Sequence, residues 1–123
     1  MKLAVIGSKK FNNFQLLTSE IEKENNLTKI ISGAAPGTDS LARRYAIQNN
    51  IPLLEFPPDY AKNGAEAKHV RDRQIVDHSE KVLAFWDGVC QGTKYTMNYA
   101  RQQNVPVRVV WVGKEISNSQ KSI

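Results

Sequence analysis

The 123-residue sequence contains one cysteine, Cys90. That excludes an internal disulfide and a metal site built from several cysteines. Long apolar runs are also missing: none approaches the ~20 residues needed to cross a bilayer. The opening "MKLAVIG" is broken by "SKK" too soon for a secretory signal. A cytosolic location is therefore expected, with no membrane partner. There is no acidic excess, and the formal charge is +5. A balance of this size suits an anionic partner, either a phosphorylated small molecule or nucleic acid, and equally suits a solvated basic surface. Aromatic residues do not interleave with basic runs, so an extended single-strand track is not favoured. With no internal repeat and no linker, one domain with a real core is expected.

Short apolar runs alternate with helical patterns. "KLAVIG" (2–7), "TKIISG" (28–33), "IPLLEF" (51–56), "KVLAFW" (81–86) and "VPVRVVWV" (105–112) read as strands. Helices are expected over 12–25, 38–50, 65–78 and 93–104, with "PPDYAKNG" as a loop. Strands buried on both faces and separated by helices imply a mainly parallel sheet covered on either side. The expected fold is a Rossmann-like three-layer α/β sandwich with five strands ordered 3-2-1-4-5. The domain would span 1–112, and the polar segment 113–123 would be a flexible tail.

In such a sheet, ligands bind beyond the carboxyl ends of the strands, where the strand order reverses. The loops predicted to meet there are "GSKK" (7–10), "SGAAPGTD" (32–39) and "DGVCQGTK" (87–94). They carry Gly7, Gly33, Gly37, Gly88 and Gly92, five of the seven glycines. Glycine lets a ligand approach the main chain, and two of these loops run into helices whose N-terminal N–H groups attract anions. Phosphate binding is the chemistry this pattern points to. Thr93 reads most simply as a helix N-cap, or as a hydroxyl for the phosphate, and Lys94 as an added charge. Asp39 suits the first turn of a helix with or without a ligand.

Known phosphate motifs do not match. No G-x-G-x-x-G follows the first strand, and "GVCQGTK" is one residue short of a P-loop and places threonine before lysine. In "HVRDRQ" (69–74), Arg71 and Arg73 flank one aspartate and would either fork an anion or lie on a solvated helix face. Asp87 would hold ribose hydroxyls or satisfy its own turn. Cys90 reads as a small loop residue rather than a nucleophile, and His69 and His78 as surface residues of a helix. Trp86 and Trp111 end strands, where core packing is the simpler role. No cofactor and no metal is called for.

Together, "KLAVIGSKKF", "IISGAAPGTDSLARRYA", "RDRQ" and "VLAFWDGVCQGTKYTMNYA" resemble the SLOG superfamily, the Rossmann-like group that includes the Smf/DprA and LOG proteins. The resemblance is strongest to its small YspA-like branch. It implies a nucleotide or nucleotide-derived ligand at the strand ends, and a homodimer or higher homo-oligomer. Gly7, Ser8 and Lys9 match the first loop of the family. Gly33, Ala34, Gly37 and Asp39 match its G-G-x-x-G-x-D loop, with Ala34 in place of the second glycine and Thr38 just before the aspartate. Arg71 and Gln74 match an R-N-x-x motif, with Asp72 where asparagine is usual. Asp87, Gly88, Gly92 and Thr93 match D-G-x-S-x-G-T, with Cys90 in place of serine. The glutamate that LOG enzymes use to release the base from nucleoside monophosphates falls on Thr96. A hydroxyl cannot do that carboxylate's work, so the resemblance implies binding more than turnover unless Asp87 or Asp39 substitutes. Three readings follow: a nucleotide-binding module, an N-glycosidase with altered carboxylates, and a single-stranded DNA binder in the manner of DprA.

Overall fold

Successive residues of a strand face opposite sides of its sheet, and the first strand shows this directly. Leu3 and Val5 pack into one buried cluster, and Ala4 and Ile6 into another. The computed structural model describes residues 1–113. Its strands are β1 (Lys2–Gly7), β2 (Lys29–Ser32), β3 (Leu53–Glu55), β4 (Lys81–Trp86) and β5 (Val107–Trp111). They form one sheet ordered β3-β2-β1-β4-β5 with every neighbouring pair parallel, so the expected order holds and no strand is antiparallel. The register keeps like faces together: Ala4 lies opposite both Ile31 and Val82, and all three belong to the second cluster.

The helices are α1 (Phe14–Ile21), α2 (Thr38–Gln48), α3 (Tyr60–Asn63), α4 (Ala67–Asp77) and α5 (Gln91–Gln102). Leu17 and Ile21 of α1, with Ala42, Tyr45 and Ala46 of α2, close the first cluster. Ile75 and Val76 of α4, with Met97 and Ala100 of α5, close the second. The result is the three-layer Rossmann-like sandwich. Among the described residues, no helix is long and apolar enough to cross a membrane.

Local chemistry sets the helix ends. Asn13 caps α1 by accepting from the Leu16 N–H at 3.0 Å. Asn50 (φ 54°) and Asn104 (φ 60°) take the left-handed conformation just after α2 and α5. The N–H groups of Ile51 and Val105 then return to Ala46 and Ala100, each at 2.9 Å, which closes both helices.

Four expectations need correction. Helix α1 is shorter than 12–25, because the chain turns after Ile21 and Asn26 adopts φ 58°. The segment expected as a loop contains α3, whose first turn is capped by Asp59 accepting from Lys62 N–H at 3.0 Å. Helix α5 begins at Gln91, two residues early, with Cys90 rather than Thr93 at the N-cap. Trp111 is 60 % exposed; its ring covers Gly88 instead of entering the core. The tail expected over 113–123 lies, beyond Gly113, outside the described residues.

Candidate functional site

The three glycine-bearing loops do meet at the strand ends, and Ser8 ties them together. Its N–H donates to the Phe85 carbonyl at 3.0 Å. Its carbonyl accepts from the Thr38 N–H at 3.2 Å and from the Thr38 hydroxyl at 2.9 Å. Its own hydroxyl donates to Asp87 at 3.1 Å. Ser8, 2 % exposed, is therefore a cross-link beneath the three loops. Gly37, at φ 77°, belongs to the same knot: a Cβ there would fall inside the backbone of Lys9.

Asp87 is turned toward its own loop. Oδ1 accepts from the N–H groups of Val89 at 2.9 Å and Cys90 at 2.8 Å. Partial burial works to raise its pKa, but these two N–H groups and the Ser8 hydroxyl outweigh it and hold the carboxyl below the usual range. The turn they form starts α5 early. Cys90 contributes no side-chain cap to that helix, and the Lys94 N–H is the first to bond back, to the Cys90 carbonyl at 3.2 Å. The N–H groups of Gln91, Gly92 and Thr93 form the helix's unbonded first turn.

That turn borders a cleft of about 360 Å³ between α4 and α5. Of the residues singled out in the sequence, Gly7, Lys9, Asp39, Arg71, Gly92 and Thr93 line it. Gly33 and Ala34 line a second, smaller hollow beside it, which Lys9 and Arg71 share. Ser8, Gly37, Thr38, Asp87 and Gly88 support the loops without lining either space. Gln74 and Lys94 are exposed and line neither. Sequence reasoning missed Lys68, His69 and Asp72 as wall residues of the cleft.

Arg71 does not extend outward as a phosphate fork. It is 9 % exposed, with Nε on Asp72 at 2.7 Å and Nη1 on the Gly33 carbonyl at 2.5 Å. The third nitrogen, Nη2, is used in neither bond. A Cβ on Gly33 would lie 2.6 Å from Nη1, so a side chain here would have to displace the guanidinium. The other arginine, Arg73, crosses to α5 and donates to the Tyr95 hydroxyl at 2.8 Å. His69 stacks on Tyr95, with ring centroids 4.2 Å apart.

Two buried carboxylates face the Arg71 guanidinium. Burial pushes Asp39 up to about 6, against the opposing pull of the Ala35 N–H and Arg71. Burial also raises Asp72, again opposed by Arg71. Thr96 lies beside Asp72 and helps to hold its charge, although its own hydrogen bond goes to the Gly92 carbonyl at 2.9 Å. Gly92 stands apart from the other site glycines. A Cβ there would meet nothing within 4 Å, and its φ is not positive. The fold does not require glycine at this position, where a side chain would cost nothing in packing.

A parallel five-stranded sheet with a cleft beyond its carboxyl ends defines a Rossmann-like α/β domain. Residues 1–62 match the family model of the YspA, cpYpsA-related SLOG family (YAcAr). The match spans half of the chain, and the chain belongs to that family. Membership suggests a nucleotide-related ligand or a related function. Comparison with curated proteins and with solved structures found no match.

Proposed function

We propose that the protein is a binding module for a nucleotide-derived small molecule, which it senses or sequesters. The anionic part would sit against the first turn of α5, near Lys9 and Lys68. One observation carries this reading: Gly92 leaves the uncapped end of α5 bare toward the cleft without any steric need for glycine. Glycine near a helix start weakens the helix relative to alanine, so its use there fits close approach of a ligand to the main chain. The phosphate would be held by Gln91 to Thr93 rather than by Gly88 to Cys90, because Asp87 engages the Val89 and Cys90 N–H groups.

Thermal unfolding in the presence of nucleoside mono- and diphosphates, cyclic nucleotides and ADP-ribose tests the reading. At least one should raise the melting temperature; a ligand at 100 times its Kd stabilises by about 2.7 kcal/mol. Gly92→Asp should fold, since its side chain enters open space, and should lose that response. A full panel without a shift would overturn the proposal.

A second reading, hydrolysis of a nucleoside phosphate, draws on Asp72. Its carboxylate lies beside Thr96, the position on which the glutamate of the LOG enzymes falls by resemblance, whereas Asp87 is held in its own turn. Release of free base from nucleoside monophosphates, abolished by Asp72→Asn, would favour this reading over simple binding.

A further inference from the structure

Asp39, Arg71 and Asp72 line the main cleft while lying almost wholly buried. The buried charge of the cleft is therefore one cation against two carboxylates. Lys9, from the loop after β1, and Lys68 of α4 also line it, but both are exposed and screened by salt. The two carboxylates are not equivalent. Asp72 has a direct ion pair, with Arg71 Nε at 2.7 Å. Nη1 of that guanidinium is spent on the Gly33 carbonyl, not on Asp39. Asp39 Oδ2 accepts from the Ala35 N–H at 3.1 Å, with the neutral Ser32 hydroxyl of β2 beside the carboxyl. Among the described residues, no cation pairs with Asp39 directly. A buried carboxylate without an ion pair holds its charge poorly, and burial raises the Asp39 pKa to about 6. The other titratable groups on the cleft are His69 of α4 and Cys90 at the start of α5.

We infer that Asp39 is a proton gate on this site: an anion enters the cleft together with a proton that settles on the Asp39 carboxylate. The inference rests on the binding reading above and adds its regulation. With both carboxylates ionised, the three buried groups sum to one negative charge, and an anion at the first turn of α5 meets it across the same cleft. Protonation of Asp39 brings the sum to zero, because Arg71 and Asp72 then balance as a pair. Buried charges are screened far less than exposed ones, so the anion feels this change even at physiological salt. The proton comes from solvent and returns to it when the anion leaves. Binding therefore tightens as pH falls, and by linkage a bound anion makes Asp39 hold its proton more tightly.

Calorimetric titration tests the gate with ADP-ribose, 3′,5′-cyclic AMP and inorganic sulfate, none of which changes charge between pH 5.5 and 7.5. Wild type should hold the probe it binds about fivefold or more tightly at pH 5.5 than at pH 7.5. Titrations at pH 6.5 in two buffers of different ionisation enthalpy should show net proton uptake on binding, a readout that needs no variant. Asp39→Asn should bind at pH 7.5 as tightly as wild type does at pH 5.5, with no pH dependence and no uptake. His69→Gln should keep both, which separates Asp39 from the histidine on the same cleft. Equal wild-type affinity at the two pH values, with binding lost in Gly92→Asp, would overturn the gate and leave the binding reading standing. So would a pH dependence that survives in Asp39→Asn. Wild type that binds no probe at either pH would overturn both.

Discussion

Arg71 Nη1 donates to the main-chain carbonyl of Gly33 at 2.5 Å, a bond that joins α4 to the end of β2 across 38 residues of sequence. Through Nε the same guanidinium holds Asp72, and its charge also reaches Asp39. One buried cation thus balances two buried carboxylates and seals the seam between the sheet and α4. Arg71→Met should lower stability by about 3–5 kcal/mol, since it leaves those charges uncompensated. Urea unfolding would measure the loss. The deficit should shrink as pH falls through about 6, where Asp39 takes up its proton.

Gly37 and Gly92 should respond to alanine in opposite directions, and Ala34 should gain from glycine. Gly37→Ala drives a Cβ into the Lys9 backbone at a positive φ and should cost about 2–4 kcal/mol. Gly92→Ala meets open space and should instead stabilise by about 0.5 kcal/mol. Ala34→Gly relieves the left-handed strain and should gain about 0.5–1 kcal/mol. Unfolding midpoints of the three variants at one pH would check the ranking.

Asp39 predicts a pH dependence of the opposite sign to an ordinary surface carboxylate. Its folded pKa is raised from 3.8 to about 6 by burial, so the folded state takes up the proton before the unfolded chain does. Its contribution to stability is therefore fully present below about pH 4 and is lost as pH rises to about 6. Asp39→Asn should stabilise the protein at pH 7.5 by about 2–3 kcal/mol, and the gain should vanish near pH 4. Scanning calorimetry at pH 4, 5.5 and 7.5 would show it.

The sheet was legible because every strand is a short apolar run and the parallel order follows from alternation with helices. The site was legible in part. Gly7, Gly33 and Gly92 mark the loops correctly, but glycine alone does not tell a ligand's approach from the approach of another main chain. Gly37 answers to Lys9, and Gly92 to open space. The early start of α5 depended on which N–H groups Asp87 would take, a choice made by turn geometry. The wall contributed by α4 had a signal. Ala67, Arg71, Asp72, Ile75 and Val76 recur at helical spacing as its buried stripe, and two of them are charged. A charged pair inside a core-facing stripe marks a buried ionic feature, even where the helix as a whole reads as polar.

The cleft joins two walls from different parts of the chain. Gly7, Lys9 and Asp39 come from the half that matches the family, while Lys68 to Ile75 and Cys90 to Thr96 come from beyond it. The family match thus covers the first wall and ends before the second. On the binding reading, selectivity among ligands would be written in α4 and the start of α5, so exchanging those two segments between family members should transplant ligand preference while leaving the common framework intact.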